Sequence, residues 1–380
     1  MFFMAGIYIH VPFCVSRCGY CDFFKTTNFE EKDRYVEAIL NEIELQRQYL
    51  SNQDISTVYF GGGTPSTLTL NQFERIFIKL RSSFTILPTA EITVECNPDD
   101  VTIELLNGIS ILGVNRISLG VQSFNDSVLR FMQRRHNSMQ AFDALRIIKE
   151  AGFDNISIDL IYGLPNVSIE EWKENIKRAL ELEVQHISAY HLTYEKDTAF
   201  DKLLKKGAIH EVDEDSSVEQ FNFLKFSLRE RGFEQYEISN FCKEEKYSRH
   251  NSNYWLGENY LGLGPSAHSF NGLSRSWNVS NLKSYFVGIE RKELPQEIEF
   301  LTIYDQYNEM MMTGLRTIWG IDVDKLNSFM DFKLIAHFEK SVSTHILLGN
   351  LVKKENKLFL GENRLMISDS IISDLFYMQD

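Results

Sequence analysis

The stretch GIYIHVPFCVSRCGYC, residues 6–21, joins a strand-forming run directly to three closely spaced cysteines. Its first part, GIYIHV, is short, apolar and rich in β-branched and aromatic residues, which is typical of a buried strand. Cys14, Cys18 and Cys21 follow at once, where the strand gives way to a loop. The stretch therefore predicts a group of thiols at the end of the first strand.

The same alternation of strand and helix continues through the first half of the chain. Further strand-like runs begin at Ser56 (STVYF), Glu91 (EITVEC), Arg116 (RISLGV), Asn155 (NISIDLI) and His186 (HISAYHL). Segments with helical periodicity separate them: residues 33–50, 71–84, 103–112, 138–152 and 169–182. Strands that alternate with such helices indicate βαβ units and a parallel sheet. About six units favour an α/β fold with a partial (β/α)6 TIM-like barrel over a three-layer sandwich.

The C-terminal part is predicted to be a small α+β, winged-helix-like domain. Residues 303–322 form an amphipathic pattern expected to end near Gly320, and another helix begins at Val323. Residues 351–368 suggest a hairpin with a polar turn, followed by a short terminal helix. The Met310–Met312 triplet is expected to lie in a core. We therefore predict a barrel over residues 1–240, a connecting segment over 241–295, and this domain over 296–380.

Polar residues stand at the strand ends, which a parallel barrel brings together at one mouth. The glycine loop GGGTPS, residues 61–66, follows the second strand. Further polar residues end the third to sixth strands: Glu95, Gln122, Asp159, Tyr190 and His191. Because active sites of parallel barrels lie at this end, we predict one site that includes the cysteine loop.

Three cysteines in one compact loop are compatible with more than one chemistry. Structural zinc prefers four ligands, and catalytic zinc usually includes His or a carboxylate. A [4Fe-4S] cluster held by three thiolates would leave one iron open to a small molecule. Spacing alone favours such a cluster, while zinc and unliganded thiols remain alternatives. Cys96 is a possible fourth thiolate, but a buried strand cysteine is the simpler interpretation.

Composition and charge exclude several classes of protein. A formal net charge of −14 and a pI near 5.2 argue against nucleic acid as a partner. No run approaches the ~20 apolar residues of a membrane-spanning helix, which leaves only peripheral membrane association open. The start, with Met1 and Met4 as alternative first residues, lacks the features of a secretory signal. Five cysteines without an export signal then predict a cytoplasmic protein without disulfides.

The pattern Cys14-x3-Cys18-x2-Cys21 at a first barrel strand resembles the radical S-adenosylmethionine (SAM) superfamily. This resemblance implies a [4Fe-4S] cluster whose open iron binds S-adenosyl-L-methionine. It also implies reductive cleavage of that cofactor, with electrons from a reductant such as flavodoxin or ferredoxin. Tyr20 occupies the position from which family members pack against the adenine.

Further motifs are similar to the branch that contains oxygen-independent coproporphyrinogen III oxidase (HemN), a porphyrin biosynthesis enzyme. These motifs are YIHVPFC, FGGGTPS, VECNP, GVQSF, IDLIYGLP and GLGPSAHS. By resemblance, Gly62 and Gly63 line the methionine end of the cofactor, and Arg134 pairs with its carboxylate. The full set that the resemblance assigns to S-adenosylmethionine is Tyr8, Tyr20, Gly62, Gly63, Glu95, Gln122, Arg134 and Asp159.

Two departures point instead to the HemW-type heme chaperones of this branch. Phe23 stands where the oxidase has a fourth cysteine, and the segment before the cysteine loop is short. The HNxxYW core His250, Asn251, Tyr254 and Trp255 resembles the heme-associated signature of HemW proteins, although such a stretch can also simply pack a domain junction. His268 is a possible second heme ligand, or else a hydrogen-bonded loop histidine. The resemblance thus implies that the connecting segment, residues 241–295, is also the heme-contact segment.

The expected function is therefore that of a heme chaperone. Such a protein binds the cluster, S-adenosylmethionine and heme as cargo, and delivers heme to acceptor hemoproteins. No catalytic residue is predicted, and coproporphyrinogen dehydrogenase activity is expected to be absent. The alternatives are a true coproporphyrinogen III dehydrogenase, which Phe23 argues against, and a radical SAM methyltransferase, for which no distinct substrate domain is recognised.

Overall fold

The computed structural model describes residues 4–51 and 53–378, so that Met1 lies outside the described residues. Six strands form the centre of a large sheet: β1 (Met4–Val11), β2 (Asp54–Gly62), β3 (Ile86–Cys96), β4 (Arg116–Gln122), β5 (Ile156–Tyr162) and β6 (His186–His191). They are parallel and pair in chain order from β1 to β6. This arrangement confirms the predicted α/β fold class.

Helices cross over between these strands. They are α1 (Lys32–Leu45), α2 (Leu70–Ser83), α3 (Ile103–Ile111), α4 (Asp126–Phe131), α5 (Ser138–Glu150) and α6 (Ile169–Glu181). Thr69, Asn137 and Ser168 begin α2, α5 and α6 with capping boxes, in which two backbone N–H groups find side-chain acceptors. Helix α1 ends earlier than the expected Leu50, because the following hydrogen bonds tighten to three-residue turns.

The strands separate an apolar face from a polar one. Ile7 and Ile9 on β1 are fully buried in the main hydrophobic core. Tyr8, which lies between them, faces the other side, where its ring stacks near those of Tyr59 and His250 at centroid distances of 6.1 and 6.2 Å. The alternation follows from the two-residue period of a strand. It leaves the inner face of the barrel lined with polar and aromatic groups.

Both edges of the barrel sheet carry strands that the sequence patterns did not indicate. Strands β7 (Glu234–Gln235) and β8 (Asn240–Cys242) continue antiparallel from β6. On the other edge, β9 (Asn259–Leu263) pairs in parallel with β1. Beyond it follow β10 (His268–Phe270), β11 (Ser274–Asn278) and β12 (Gln296–Phe300), all antiparallel.

Four helices accompany these edge strands: α7 (Ala199–Lys205), α8 (Glu214–Glu230), α9 (Arg249–Leu256) and α10 (Leu282–Glu290). Residues 241–295, expected to be a connecting segment, thus contribute strands to the same sheet as the barrel. The domain boundaries given above stay a proposal. No helix within residues 4–51 and 53–378 is long and apolar enough to cross a membrane.

The C-terminal elements have a hydrophobic cluster of their own. They are α11 (Ile303–Gly314), β13 (Ile321–Asp322), α12 (Val323–Asn327), α13 (Phe332–Leu347), β14 (Leu351–Lys354), β15 (Lys357–Leu360) and α14 (Ser368–Leu375). Met311 is fully buried in this cluster, as expected for the methionine triplet. The β14–β15 hairpin and the terminal helix agree with the predicted small α+β unit.

Helix α11 is shorter than predicted: it ends at Gly314 rather than near Gly320. The chain turns back there, so that Ile321 pairs with Leu358 of the hairpin. A Cβ atom on Gly314 would lie 2.6 Å from the Ile321 side chain, so this close return needs glycine. The amphipathic pattern alone did not reveal the turn.

Candidate functional site

The cysteine loop follows β1 and is held from several sides. The Cys14 N–H donates to the Thr26 carbonyl oxygen at 3.0 Å, and the Gly19 N–H donates to the Met132 carbonyl oxygen at 3.1 Å. Gly19 also accepts from the Phe200 N–H at 2.9 Å. A Cβ atom on Gly19 would lie 2.6 Å from the Phe200 ring, so only glycine permits this close packing. The loop is thereby fixed between α4 and α7.

Two polar side chains contact the thiols. The Thr64 hydroxyl lies 3.4 Å from Cys14 Sγ, and Arg134 Nη1 lies 3.5 Å from Cys18 Sγ. Burial raises the pKa of the Cys14 thiol, and the Thr64 hydrogen bond partly opposes that rise. Hydrogen bonds of this kind stabilise a thiolate, which is the form that binds a metal. The surroundings of the loop therefore suit bound thiolates.

The three thiols are not arranged around a single metal ion. Among the described residues, no three His, Cys, Asp or Glu side chains are placed to hold a single metal ion. A [4Fe-4S] cluster makes a different demand, because its thiolates bind separate iron atoms. Three thiols on one loop, with donors from Thr64 and Arg134 beside them, therefore fit a cluster as the group to be held.

The glycine loop after β2 lies against the end of β1. The Gly63 N–H donates to the Val11 carbonyl oxygen at 2.8 Å. Gly62 has a φ of +101°, and a Cβ atom there would lie 2.5 Å from the His10 ring. A side chain is therefore excluded both by backbone conformation and by space. Gly62 and Gly63 are half-buried, and their assignment to S-adenosylmethionine stays a proposal.

Arg134 lies behind the cysteine loop rather than on an open helix surface. Its Nη2 donates at 2.7 Å both to Asn97 Oδ1 and to the Gly120 carbonyl oxygen. Its buried Nε has no partner among the described residues. A buried N–H without an acceptor is uncommon, and a bound carboxylate would satisfy it. This observation supports the predicted contact between Arg134 and the cofactor carboxylate.

Two carboxyl groups face the lumen from β3 and β5, the strands on either side of β4. Burial raises the pKa of Glu95 to about 7 and that of Asp159 to about 6, and the Arg116 guanidinium opposes both shifts. Glu95 accepts a hydrogen bond from the Tyr59 hydroxyl at 2.8 Å. Near neutral pH the pair therefore offers both carboxylic acid and carboxylate, which can bond to hydroxyl and amino groups.

The other residues predicted to bind S-adenosylmethionine lie around the same mouth. Gln122 ends β4 with a φ of +66°, an unusual conformation for a residue with a side chain. Tyr20 is half-buried, with its ring 6.4 Å from that of Phe200. The Tyr8 hydroxyl lies 3.3 Å from His10 Nδ1. Their roles toward the cofactor stay proposals.

The HNxxYW stretch forms α9 and packs inside the barrel. His250 is 1% exposed, and burial lowers its pKa to about 3. Its Nδ1 lies 2.8 Å from the Thr57 hydroxyl, and its Nε2 lies 2.8 Å from the Tyr254 hydroxyl. Asn251 and Trp255 are half-buried. Iron ligation by His250 would therefore require one of these hydrogen bonds to break, and heme contact by this stretch stays a prediction.

Sequence reasoning missed several residues that shape the site. His10 packs against the glycine loop, Asn97 positions Arg134, and Arg116 lies 1% exposed beneath the two carboxyl groups. Asn97 belongs to the VECNP motif, so it carried a signal that was not used. Arg116 carried a second such signal, because it is a charged residue at the start of a mostly apolar strand. His10 belongs to the YIHVPFC motif, but its contact with Gly62 depends on the return of the glycine loop, which the motif alone does not show.

Comparison with known proteins identifies a matching domain family and several relatives. Residues 8–179 match the family model of the radical SAM superfamily. Heme chaperone HemW of Bacillus subtilis is 35% identical over 323 residues, which cover 84% of this chain and 85% of the relative. Heme chaperone HemW of Lactococcus lactis is 34% identical, with coverage of 88% and 86%. The zebrafish (Danio rerio) radical S-adenosyl methionine domain-containing protein 1, mitochondrial, is 32% identical, with coverage of 97% and 86%.

Among solved structures, coproporphyrinogen III oxidase (HemN) from Escherichia coli superposes with a TM-score of 0.85. The superposition covers 98% of this chain and 89% of the oxidase, at 24% sequence identity. At that identity the likeness shows the fold alone. It confirms the predicted β/α barrel fold with a C-terminal extension as the architecture of this chain.

Proposed function

Because this chain belongs to the HemW family of heme chaperones within the radical SAM superfamily, we propose that it binds heme and delivers it to acceptor hemoproteins. The observation that carries this proposal is the extent of the similarity. The radical SAM match ends at residue 179, whereas the match to the B. subtilis chaperone covers 84% of the chain. The resemblance to chaperones thus extends beyond the cluster-binding domain that all radical SAM proteins share.

The proposal includes a [4Fe-4S] cluster and S-adenosylmethionine at the barrel mouth. Cys14, Cys18 and Cys21 would hold the cluster, whose chemistry is one-electron reduction of the bound cofactor. Arg134 would orient the cofactor through its planar fork of donors, which matches a carboxylate. Gly62 would let the backbone approach the cofactor, since a side chain has no room there.

Glu95 and Asp159 would bond to the remaining polar groups of the cofactor. Their raised pKa values keep part of the population protonated near neutral pH, so that they can donate as well as accept. A reductant such as flavodoxin or ferredoxin would supply electrons to the cluster. All five cysteines are free thiols, which fits the reducing cytoplasm as the proposed location.

The decisive experiment compares heme binding with porphyrinogen turnover. The protein is reconstituted with iron and sulfide without oxygen, and then titrated with hemin. Coproporphyrinogen III is supplied separately with S-adenosylmethionine and a reductant. We expect saturable hemin binding, transfer of heme to a heme-free hemoprotein, and no porphyrinogen conversion. Repeated turnover to protoporphyrinogen would show instead that the chain is a dehydrogenase.

A further inference from the structure

Three of the nine histidines are exposed: His191, His210 and His268. Both ring nitrogens of His191 are engaged, with the Leu192 carbonyl at 2.9 Å and the Ser217 hydroxyl at 3.1 Å. His210 stands between α7 and α8, and no aromatic ring stacks on it among the described residues. His268 differs from both, because its ring stacks on the Trp277 indole with centroids 6.0 Å apart and its nitrogens are free of hydrogen bonds within the described residues.

His268 lies at the mouth of the barrel. Strand β9 runs parallel to β1 with Gly262 opposite Tyr8, and β10 returns antiparallel alongside it. A Cβ atom on Gly262 would lie 2.1 Å from the His268 carbonyl oxygen, so the two backbones are in close contact. The His268 ring is close enough to influence the pKa of His10, which packs against Gly62. This imidazole is therefore a neighbour of the predicted cofactor loop.

The strands around His268 form a surface suited to a flat ring. His268 pairs across the sheet with Trp277, and Phe270 pairs with Arg275. Side chains two residues apart on a strand share a face, so the imidazole, indole, phenyl and guanidinium groups project to the same side. Aromatic rings provide a broad apolar contact for a porphyrin, and an imidazole is a common axial ligand of its iron.

We propose that His268 supplies the axial ligand to the heme iron and that Trp277, whose ring lies within 28° of the imidazole plane, meets the porphyrin with its edge. This inference rests on the proposed heme-binding function and names the site where the cargo sits. It places heme beside the cluster and cofactor site rather than inside the barrel. The HNxxYW helix then acts through packing rather than through ligation.

A chain of aromatic contacts links that helix to the proposed site. The Tyr254 ring packs edge-on against the Tyr260 ring, with the two ring centroids 4.6 Å apart. The centroid of the Tyr260 ring in turn lies 6.0 Å from that of Phe270. Phe270 is two residues from His268 on the same strand. Disturbing α9 would therefore shift β10 without removing an iron ligand. Changes in α9 should weaken heme binding but preserve the ligand type.

The electrostatic surroundings of His268 suit iron binding. Burial, together with the nearby Arg275 guanidinium, lowers the pKa of the His268 imidazole. At neutral pH the ring is then uncharged, so a nitrogen lone pair is available to the metal. Arg275 itself forms an ion pair with Glu309 of α11.

The test is hemin titration of the full-length, cluster-loaded protein, followed by absorption and electron paramagnetic resonance spectra. We expect His268→Ala to lose the histidine-ligated heme spectrum, and added imidazole to restore it. Trp277→Ala should keep the ligand type but bind hemin about three- to tenfold more weakly, as expected for the loss of one aromatic contact. His210→Ala, a change of the same kind at another exposed histidine, should match the parent protein.

His250→Ala separates this inference from the alternative. It should retain the histidine-ligated spectrum, even if it binds hemin more weakly. If His250→Ala loses that spectrum, or if His268→Ala keeps it, the ligand is misassigned. If the parent protein binds no hemin at all, the proposed function fails and this inference fails with it. The iron–sulfur absorption and the far-ultraviolet circular dichroism of each variant show whether it is folded.

Discussion

Arg134 links the cysteine loop to two neighbouring strand ends: its Nη1 lies 3.5 Å from Cys18 Sγ, while its Nη2 donates to Asn97 and to the Gly120 carbonyl. The guanidinium is thereby held rigidly between the predicted cluster and the predicted cofactor. A lysine ammonium is a compact charge without this fork of donors, so it could not make the same set of contacts.

We therefore expect Arg134→Lys and Arg134→Ala to weaken S-adenosylmethionine binding by about ten- to a hundredfold, which corresponds to one lost charge-assisted hydrogen bond. Equilibrium binding of the cofactor to the reconstituted protein measures this loss. Arg135→Ala is the matched control, because Arg135 pairs with Asp99 and Asp100 instead. If Arg134→Lys binds the cofactor like the parent protein, Arg134 has only a structural role.

The five cysteines are expected to fall into two classes. Replacing Cys14, Cys18 or Cys21 by Ala should abolish the cluster, measured as iron and sulfide per chain after anaerobic reconstitution. Cys96→Ala and Cys242→Ala should retain it, because both thiols are buried in strands and burial raises the pKa of each. Stoichiometric zinc without incorporation of iron would contradict the assignment.

Protonation of Glu95 should make stability depend on pH. Its folded-state pKa of about 7 lies above the ordinary value, so the folded state holds the proton more tightly than the unfolded chain. The contribution of Glu95 to the free energy of unfolding should then fall as pH rises from about 4 to about 7, and level off above that. Glu95→Gln removes the titrating group and can still accept a bond from Tyr59.

Urea unfolding at a series of pH values provides the measurement. As pH rises through that window, the free energy of unfolding of the parent protein should fall relative to that of Glu95→Gln. The free energy of unfolding of Glu95→Gln should still depend on pH, partly because of Asp159, whose pKa is also raised by burial. A difference that is constant with pH would show that Glu95 ionises normally in the folded protein.

A buried carboxylate on α1 should be important for the strand edge that carries His268. Glu42 is fully buried and accepts hydrogen bonds from the Gly264 N–H at 2.7 Å, Asn278 Nδ2 at 2.6 Å and the Tyr285 hydroxyl at 2.6 Å. Glu42→Ala would leave the Gly264 N–H and the Tyr285 hydroxyl without an acceptor, whereas Asn278 Nδ2 keeps its bond to the Gly264 carbonyl oxygen. The free energy of unfolding should fall by at least about 2 kcal/mol, because each of the two unsatisfied buried groups costs about 1–3 kcal/mol.

Chemical unfolding of Glu42→Ala measures this cost. Glu44→Ala serves as the control on the same helix, because Glu44 is exposed and pairs only with Arg47 and Lys79 at the surface. That variant should differ little from the parent protein. A small loss for Glu42→Ala would mean that water replaces the carboxylate in this cluster.

Local sequence patterns determined the barrel and the cysteine site. The strand-like runs and the helices between them were predictable because each has its own hydrophobic period, and that period specifies which face is buried. The polar residues at the strand ends, from Glu95 to Asp159, could be assigned to one site because parallel strands end at one mouth. Even the core position of Met311 followed from its helical pattern.

Only the tertiary structure decided where the segment after residue 240 lies. Strands such as β10 have three residues, too few for a recognisable period, and their partners are chosen by contacts with distant parts of the chain. The pairing of β9 with β1 carries His268 to the barrel mouth, while α9 packs His250 against Thr57 and Tyr59 in the interior. The two histidines are close in sequence, yet burial and hydrogen bonding place them in opposite environments because those properties depend on long-range packing.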